Sequence, residues 1–402
     1  MSKMVFSKRF AAGEEVFRSG DLARNAYIIE SGKVEVSTES DGCKLVIAEL
    51  GKGELFGEMS MIDDAPRSAT VTAIDETEVV VMQRSRFQRP IMAADPLMNM
   101  LMRVMVNRFR VAQRKMSGMR DGPAEFDPAL EEARQLALRR IDDEKDMRHG
   151  LDVNQFELNY QPIISLETGH IAGFEALMRW TKGDGSFVSP VEFIPLAEET
   201  GLIIELGRWS LELAIRDHVS FSNLFAKAFP GQAPLFMSVN VSGLQLSEMA
   251  EIDELSAIIE RGELDASVIK LEMTETLLVE DPEHAATALK KVKESGVSIA
   301  IDDFGTGYSS LSYLHQFPLD TLKIDREFVN NMDKAENSRR IVSSIAQLAL
   351  SLDMNIVAEG IEEQAQMDAL RELGCQYGQG YFMAKPMPAA KIVEFIASKP
   401  VW

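Results

Sequence analysis

The sequence predicts a multidomain protein with an N-terminal β jelly-roll or barrel domain, a long connecting helix and a C-terminal TIM-like (β/α)8 barrel. Three observations support this prediction. Residues 10–87 contain short alternating runs separated by glycines, residues 96–116 have a helical period, and strand-like and helix-like runs alternate from Phe156 onward. The chain of 402 residues is long enough for two or three such domains.

The distribution of charge also divides the chain. Residues 1–120 carry 18 basic and 16 acidic side chains, whereas the remainder carries 24 basic and 47 acidic ones. A shift at one place indicates two domains of different character. The acidic C-terminal part argues against a module that binds a nucleic-acid polymer, because such modules are basic. Any phosphate chemistry there would need metal ions to reverse the local charge.

The N-terminal region has the pattern of a β domain. Its runs NAYIIESGKVEVST (25–38) and TVTAIDETEVVVMQ (70–83) alternate apolar and polar residues. Many short strands with frequent turn signals are typical of a sandwich or a barrel. SGK at 31–33 and SDG at 40–42 are predicted hairpin turns, because glycine supplies the positive φ that such turns need.

Residues 96–116 predict an amphipathic helix with an unusually wide apolar face. Its polar stripe consists of Asn99, Arg103, Asn107, Arg110 and Arg114. A wide apolar face indicates a partner on more than one side. The helix either docks onto its own β domain or forms a dimer coiled coil that also covers a ligand. Residues 117–123 are predicted to end this helix and to form a hinge, and a charged helix is expected over 128–148.

From Phe156, eight strand candidates alternate with helical stretches over about 250 residues, which is the signature of a parallel α/β fold and most simply of an eight-stranded barrel. The candidates are FELNYQPII, HIAGFEALMRW, LFMSVNVS, VIKLEMTET, VSIAIDDF, TLKID, MNIVAEG and CQYGQGYF. The sequence thus predicts three parts, with a β domain over 1–95, a helical dimerisation and linker region over 96–149, and a barrel over 150–402.

The sequence favours a cytoplasmic protein. No stretch approaches the roughly 20 apolar residues of a membrane span, and the first residues contain no apolar core of a secretory signal. The two cysteines, Cys43 and Cys375, lack a metal-like spacing and fit a reducing compartment.

Oxygen-donor side chains follow most of the predicted barrel strands. Because active sites of such barrels lie at the C-terminal strand ends, these side chains should share one rim. They are Glu175, Asn240, Glu272, Glu275, Asp302, Asp303, Asp325, Glu359, Glu362 and Gln379, joined by the single cation Lys323. One acidic residue at a strand end is usually a helix cap, but a helix cap does not account for the whole series.

Converging carboxylates repel one another unless cations lie among them. Oxygen ligands without cysteine or histidine indicate Mg²⁺ or Mn²⁺ rather than zinc. The simplest hypothesis is a two-metal phosphoesterase site with ions roughly 4 Å apart. Asp302 would bridge both ions and Asp303 would serve one, while Lys323 would position or activate the water or neutralise developing charge.

The motifs of this region together resemble the EAL family of cyclic-di-GMP phosphodiesterases over roughly residues 150–400. They are EALMRW (175–180), NVSGLQL (240–246), EMTET (272–276), DDFGTGYSSL (302–311), LKIDREFV (322–329), AEGIEE (358–363) and GQGYFMAKP (378–386). The resemblance implies a TIM-like barrel that hydrolyses cyclic-di-GMP to linear pGpG with Mg²⁺ or Mn²⁺, two ions per active site.

The resemblance also implies roles for individual residues. Ligands of the first metal would be Glu175, Asn240, Glu272 and Asp302, and those of the second Asp302, Asp303 and Glu359. The residues taking part in catalysis would be Lys323, Glu359, Glu175 and Asp303. Substrate contacts would come from Gln161, Arg179, Gln379 and the PLAEETG stretch (195–201) with Glu198. Glu275 would anchor the mobile loop that carries Gly305 and Gly307.

A second specific stretch is GELFGEMSMIDDAPRSATV at 53–71. With AGEEVFRSGD (12–21) and AYIIESGKVEV (26–36), it resembles the phosphate-binding cassette of cyclic-nucleotide-binding domains over about residues 5–116. The resemblance implies a nucleotide site of Gly57, Glu58, Met59, Arg67 and Ser68, in which Glu58 binds the 2′-hydroxyl and Arg67 and Ser68 face the cyclic phosphate.

Two features of this cassette leave alternatives open. Asp63 and Asp64 would weaken phosphate binding if their carboxylates pointed inward. Met98, Met102 and Met105 on the following helix are expected either in the core or against the base. The cassette favours cAMP over cGMP as the regulatory ligand, because bacterial members with it mostly bind cAMP.

These features predict a homodimeric cyclic-di-GMP phosphodiesterase that cAMP activates through the helix at 96–116. The alternative is a catalytically silent receptor that binds both nucleotides and signals through a protein partner. A cAMP-dependent transcription factor is disfavoured, because an acidic barrel occupies the place of a basic helix-turn-helix.

Overall fold

The protein folds into two compact units, residues 1–143 and 144–402. The computed structural model describes residues 6–23, 25–40, 43–63, 65–83, 96–116, 128–275, 282–305, 314, 316–332 and 336–402. None of the helices in these ranges is long and apolar enough to cross a membrane. The finer division at residues 95 and 149 stays a prediction.

The first unit is a sandwich of two four-stranded antiparallel sheets, with strand orders β1-β8-β3-β6 and β2-β7-β4-β5. Its strands are β1 (Phe6–Phe10), β2 (Glu15–Phe17), β3 (Asn25–Ser31), β4 (Val34–Ser40), β5 (Cys43–Leu50), β6 (Leu55–Phe56), β7 (Thr70–Ala73) and β8 (Thr77–Gln83). Alternate residues of both sheets, including Phe10, Ile29, Val34, Val71 and Val79, form its core.

The two predicted hairpins have different outcomes. Ser40 pairs with Cys43, so β4 and β5 form an antiparallel pair as expected, although residues 41–42 lie outside the described ranges. The hairpin at 31–33 is wrong, because β3 and β4 belong to different sheets. Gly32 has φ +87° there, and a Cβ on it would lie 2.5 Å from the carbonyl oxygen of Glu76. The glycine therefore allows the chain to cross between sheets.

Helices α1 (Met59–Ile62) and α2 (Pro96–Met116) belong to the first unit, and α3 (Pro128–Asp152) contains the division between the two units. The bounds of α2 match the predicted 96–116, and the predicted hinge at 117–123 lies outside the described residues. Arg110, from the predicted polar stripe, is buried and binds the segment that contains α1.

The second unit is an eight-stranded barrel closed by pairing of β9 with both β10 and β17. Its strands are β9 (Phe156–Ser165), β10 (Ile171–Thr181), β12 (Phe236–Asn240), β13 (Ile269–Thr274), β14 (Ser298–Phe304), β15 (Thr321–Ile324), β16 (Asn355–Ala358) and β17 (Tyr377–Gly378). Short strands β11 (Phe187–Val188) and β18 (Met387–Pro388) lie outside the closed barrel. All eight predicted strands are confirmed.

One barrel strand departs from the expected parallel arrangement. Strands β10 and β12 to β17 run parallel to one another, but β9 is antiparallel to both of its barrel neighbours. Only residues 166–170 connect β9 to β10. A parallel pair needs a crossover of a dozen or more residues, so a connection this short forms a hairpin.

Helices cover the outside of the barrel and bury an apolar layer against its strands. They are α4 (Pro190–Thr200), α5 (Ile203–Ala228), α6 (Gly243–Ser247), α7 (Met249–Arg261), α8 (Pro282–Glu294), α9 (Arg326–Asn331), α10 (Glu336–Ser351), α11 (Gln364–Glu372) and α12 (Ala389–Ala397), with a 3₁₀ turn at Ala266–Val268. On β13 the outward residues Ile269, Leu271 and Met273 join this layer, which leaves Lys270 and Glu272 facing the barrel interior.

Candidate functional site

The C-terminal strand ends converge on one lysine. Lys323 on β15 is fully buried, and its Nζ lies 2.6 Å from Glu272 Oε2, 2.6 Å from Glu359 Oε1, 3.1 Å from Asp302 Oδ2 and 3.7 Å from Glu175 Oε1. Each carboxylate comes from a different strand or from the residue after it. Four carboxyl groups therefore surround one positive group in the barrel centre.

Three of these carboxylates could share a metal ion. Oxygens of Glu175, Glu272 and Asp302 all lie within 4.8 Å of one another. Glu272 Oε1 is buried and has no hydrogen-bond partner within the described ranges. A buried carboxylate oxygen without a partner is costly, and a hard cation would satisfy it. The donor set thus fits Mg²⁺ or Mn²⁺.

Burial and mutual repulsion perturb the acidic groups. Burial raises the pKa of Glu272 to about 7 and that of Glu359 to about 8, although Lys323 opposes both shifts. Burial lowers the pKa of Lys323, but the surrounding carboxylates outweigh burial and raise this pKa well above its usual value. The cluster therefore carries more negative charge than one lysine can compensate.

Asp303, next to Asp302, is in a strained conformation with φ 53°. Burial and the neighbouring carboxylates of Asp302 and Asp325 raise its pKa to about 6. Its backbone N–H donates to Asp302 Oδ1 at 2.9 Å. A non-glycine residue in the left-handed region is uncommon and is often found at functional sites. The positive φ places two adjacent carboxylates at the same rim.

Amide side chains hold the free end of Glu175. Asn240 Nδ2 donates to Glu175 Oε1 at 3.0 Å, and Gln379 Nε2 donates to Glu175 Oε2 at 2.6 Å. Gln379 also donates to Gln161 Oε1 at 2.9 Å, and Gln161 donates to the carbonyl oxygen of Ala384. This hydrogen-bonded series fixes the orientation of Glu175 at the edge of the cluster.

A cavity of about 810 Å³ opens over this cluster. The predicted site residues that line it are Gln161, Glu175, Asp302, Asp303, Asp325, Glu359, Glu362 and Gln379. Arg179 and Glu198 do not line it. Arg179 donates to the carbonyl oxygen of Met178, and Glu198 accepts a hydrogen bond from Ser242 at 2.7 Å. Their contact with a substrate stays a prediction.

Glu275 lies close to the loop that follows β14. Its Oε2 accepts a hydrogen bond from the Gly305 N–H at 3.3 Å. Gly305 has φ 98°, which favours glycine. The rest of the DDFGTGYSSL motif, residues 306–311, lies outside the described residues, as does Thr276 of EMTET.

Sequence reasoning missed one wall of the cavity. Arg326, Asn330 and Asn331 of α9 line it, as does Tyr381 in the GQGYFMAKP motif. The signal for Arg326 was its position directly after the strand-end residue Asp325, at the start of a helix. Asn330 and Asn331 lie at the other end of that helix, and no spacing in the sequence connects them to the strand ends.

The N-terminal unit contains a second cavity, of about 210 Å³. Gly57, Glu58, Met59, Arg67 and Ser68 all line it. Gly57 has φ 79°, and a Cβ there would lie 2.7 Å from Arg67 Nη1, so the position accommodates only glycine without displacing the guanidinium.

Arg67 is 5% exposed and donates to the carbonyl oxygens of Gly57 at 2.7 Å and Asn25 at 2.5 Å. Its guanidinium lies 4.0 Å from the centre of the Phe17 ring. Burial lowers the Arg67 pKa. Arg67 Nε is buried and has no hydrogen-bond partner in the described ranges, so the guanidinium retains a donor for a ligand.

Helix α2 contributes residues to the same cavity that the sequence did not identify. Phe109 and Gln113 line it, whereas Met98, Met102 and Met105 do not, and Met98 and Met105 are more than half exposed and therefore not in the core either. The expectation that the methionines contact a base is therefore not supported. Phe109 and Gln113 are four residues apart and share one face of the helix.

The orientation of Asp63 is now clear. Arg110 of α2 forms an ion pair with its carboxylate and also donates to the Pro66 carbonyl oxygen at 3.0 Å and to Ser60 Oγ at 3.2 Å. Asp63 does not line the cavity, so its charge is compensated outside it. Asp64 lies outside the described residues.

Comparisons with known proteins agree with both sites. Residues 144–386 match the model of the EAL domain, and residues 7–93 match that of the cyclic nucleotide-binding domain. Among curated relatives, the cyclic di-GMP phosphodiesterase NbdA of Pseudomonas aeruginosa is 37% identical over 66% of this chain and 33% of its own length. The bifunctional diguanylate cyclase/cyclic di-GMP phosphodiesterase MucR of the same organism is 37% identical over 69% of this chain and 39% of its own length. The chain thus spans little more than a third of these relatives.

A solved structure matches nearly the whole chain. The EAL enzyme Bd1971 in its cAMP-bound form is 32% identical, covers 97% of this chain and all of its own, and superposes with a TM-score of 0.74. The same enzyme with both cAMP and cyclic-di-GMP gives 33% identity, the same coverage and a TM-score of 0.75. From the barrel match, which includes more than half of the chain, and the N-terminal match, we conclude that this protein belongs to the EAL domain family and carries an N-terminal cyclic nucleotide-binding domain.

Proposed function

We propose that this protein hydrolyses cyclic-di-GMP to linear pGpG with two divalent metal ions, Mg²⁺ or Mn²⁺, and that cAMP bound to the N-terminal domain activates it. The observation that carries the proposal is the convergence of Glu175, Glu272 and Asp302 within 4.8 Å. Membership of the EAL family and the activity named for NbdA support the choice of substrate.

The first metal would be held by Glu175, Asn240, Glu272 and Asp302, and the second by Asp302, Asp303 and Glu359. The Asn240 side-chain N–H donates a hydrogen bond to Glu175, which leaves the carboxamide oxygen as its ligand atom. All of these donors are oxygens, as Mg²⁺ and Mn²⁺ prefer. When bound, the ions would activate the attacking water and stabilise charge on the phosphodiester oxygens.

Lys323 would act within the same carboxylates. Its ammonium contacts Glu272, Asp302 and Glu359 at 2.6–3.1 Å, so it neutralises part of their repulsion. The positive charge of Lys323 would also orient the attacking water or stabilise the negative charge that develops on the reacting phosphate. Hydrolysis adds the water oxygen to phosphorus and breaks one ester bond of the ring, and the departing oxygen takes up the proton.

The substrate would lie in the 810 Å³ cavity over the cluster. Gln161 and Gln379 line it and are fixed by hydrogen bonds to each other, to Ala384 and to Glu175. Two groups held in this way can recognise polar atoms of a ligand without losing rotamer freedom. Arg179 and Glu198 would need to turn toward the cavity to take part.

For the regulatory site, the cAMP phosphate would lie against Ser68 and Arg67, and its ribose hydroxyl would lie against Glu58. The neighbour Bd1971 supports a cyclic mononucleotide as the ligand, since that enzyme was solved with cAMP and also with cGMP. Phe109 and Gln113 place α2 against the same cavity. A ligand that contacts both the cassette and α2 can shift the position of this helix.

Helix α2 would also form the dimer contact. Leu101, Met105 and Phe109 recur every four residues and are 45%, 70% and 55% exposed. An apolar stripe of this kind fits a second copy of the same helix. Phe109 would then serve both the dimer and the nucleotide cavity, which would connect ligand binding to the arrangement of the two subunits.

The proposal is tested by measuring cyclic-di-GMP turnover by chromatography with Mg²⁺, with and without excess cAMP or cGMP, and with a chelator as the control. We expect pGpG to form, formation to stop with the chelator, and cAMP to increase it. Because linkage is reciprocal, cyclic-di-GMP should then change cAMP affinity by the same factor by which cAMP changes substrate affinity.

Other results would contradict defined parts of the proposal. Turnover unaffected by either mononucleotide would remove the regulatory role of the N-terminal domain. Substrate binding without turnover under any metal condition would indicate a silent receptor instead of an enzyme.

A further inference from the structure

A second buried lysine lies in the barrel interior below the carboxylate cluster. Lys270 is on β13, two residues before Glu272 and therefore on the same face of the strand. It is 5% exposed. None of the roles assigned above uses this residue.

Aromatic rings, rather than carboxylates, surround its ammonium. The Lys270 Nζ lies 4.1 Å from the centre of the Phe236 ring and 5.5 Å from that of Tyr377. The two rings meet edge to face at 5.3 Å. Phe236 requires a glycine on the adjacent strand, since a Cβ on Gly173 would lie 2.6 Å from its ring.

Lys270 forms no ion pair or hydrogen bond through its ammonium with the residues that the structure describes. A buried charge without a contacting anion is costly. Cation–π contacts with two rings return part of this cost. Its position two residues from Glu272 gives it a further, longer-range interaction with the cluster.

We propose that Lys270 lowers the affinity of the carboxylate cluster for divalent cations by placing a positive charge beneath it. This inference depends on the proposed function, because it assumes that the cluster binds metal. Four carboxylates attract divalent ions strongly, and Lys323 offsets one of these charges. Lys270 offsets another without occupying a position at the rim.

Lys270 and Glu272 lie on the same face of β13, so the ammonium and the carboxylate cluster share the barrel interior. In a buried site, charges interact over longer distances than in water, because screening is weak. A divalent ion at the rim would therefore be repelled by Lys270 about twice as strongly as a monovalent group.

The test is Mn²⁺ binding by calorimetry to the metal-free full-length protein, compared with Lys270→Met and Lys270→Arg. Methionine keeps much of the length and contacts with the rings but removes the charge. We expect the dissociation constant for Mn²⁺ to fall about tenfold in Lys270→Met, because loss of the positive charge removes its repulsion of the divalent ion. Lys270→Arg keeps the charge and should stay within about twofold of the wild type.

Lys291→Met is the matched control, because it removes one positive charge from the same unit at a surface ion pair with Asp253. It should leave Mn²⁺ affinity unchanged. If Lys270→Met does not fold, Lys270→Gln provides the same loss of charge with a polar side chain.

The possible results separate this inference from the proposed function. Equal or weaker Mn²⁺ binding by Lys270→Met overturns the inference, and so does an equal change in Lys270→Arg, which would indicate a packing effect. If the wild type binds no Mn²⁺, both the inference and the proposed metal site are wrong. Turnover measured on the same samples then shows whether the enzyme assignment survives.

Discussion

The barrel and the N-terminal domain each bury charged groups, but they differ in the ratio of carboxylates to cations. In the barrel, the Lys323 ammonium faces four carboxylates. In the N-terminal domain, the Arg110 guanidinium faces one carboxylate, Asp63, and its remaining donors reach the Pro66 carbonyl oxygen and Ser60 Oγ. In the barrel cluster the carboxylates outnumber the cation, whereas in the N-terminal domain the charges of Arg110 and Asp63 balance.

This difference separates a site that needs a ligand from a contact that needs none. Glu272 retains a buried oxygen without a partner in the described ranges, and burial raises its pKa to about 7. The Arg110–Asp63 pair satisfies its own charges and fixes α2 to the cassette. Buried ion pairs add little stability relative to apolar residues, but removal of one partner is strongly destabilising.

The largest effect should come from removing one carboxylate of the barrel cluster. Glu272→Gln keeps the shape of the side chain but removes a charge and a metal ligand, so we expect turnover of cyclic-di-GMP to fall about a thousandfold. The rate of pGpG formation at saturating Mg²⁺ measures this effect. Glu205→Gln, at an exposed ion pair with Arg148, is the control and should retain full activity. A Glu272→Gln rate within tenfold of the wild type would show that the cluster is not the catalytic site.

Substitutions in the Arg110–Asp63 pair should change the stability of the N-terminal domain rather than the rate of catalysis. Arg110→Met leaves the buried Asp63 carboxylate without its cation, so we expect the N-terminal domain to lose about 3 kcal/mol of unfolding free energy. All three tryptophans, Trp180, Trp209 and Trp402, lie in the barrel unit, so hydrogen exchange of β-domain amides is the suitable measurement.

Two further variants sharpen this result. The double variant Asp63→Asn with Arg110→Met removes both charges and should recover part of the loss. Arg9→Met breaks an ion pair between Glu78 and an exposed arginine in the same domain and should leave stability nearly unchanged. An Arg110→Met effect as small as that of Arg9→Met would mean that the pair is not a structural link.

Much of the barrel site could be predicted from the sequence, because the main chain alone determines it. Parallel strands end at one rim, so Glu175, Glu272 and Asp302 had to meet once their strands were identified. The antiparallel β9 could also have been inferred from the five residues that connect it to β10. Neither result depends on long-range side-chain packing.

The contacts that escaped sequence reasoning depend on how helices dock. Arg110 was predicted to belong to a polar stripe, yet it is buried against the cassette because Asp63 and Ser60 accept its hydrogen bonds. Phe109 and Gln113 line the cavity for the same reason, since the docking of α2 decides which face meets the ligand. The helical period in a sequence shows which residues share a face of the helix, but not which part of the protein that face packs against.

Divalent metal ions should stabilise the barrel unit but not the N-terminal unit. At a free Mn²⁺ concentration about 100 times the dissociation constant, the barrel should gain about 2.7 kcal/mol of unfolding free energy for each site. Tryptophan fluorescence in urea follows this transition, because every tryptophan is in the barrel unit. Hydrogen exchange of the β domain should not change, and Glu272→Gln should abolish most of the gain. Equal stabilisation of both units would contradict a metal site confined to the barrel.

The smallest expected effect on stability comes from a buried histidine that stays neutral in the folded protein. His218 on α5 is 4% exposed, and its Nε2 lies 2.8 Å from the Leu235 carbonyl oxygen and 3.1 Å from Ser222 Oγ. With Nε2 donating to the carbonyl oxygen, Nδ1 is unprotonated, and it has no hydrogen-bond partner in the described ranges. Burial lowers the His218 pKa, because a proton on Nδ1 would be buried without an acceptor.

The unfolded chain therefore binds a proton near the ordinary histidine pKa of about 6.5, whereas the folded barrel binds it only at lower pH. Stability from this group is fully present above that value and falls as the pH decreases below it, by about 1.4 kcal/mol for each pH unit until the folded group also titrates. Urea unfolding followed by tryptophan fluorescence between pH 7 and 5 measures the slope. In His218→Gln this part of the slope should disappear, whereas in His149→Gln, at an exposed histidine, it should remain. If both variants keep the wild-type slope, the acid sensitivity of the barrel comes from its carboxylates and not from a histidine that is buried neutral.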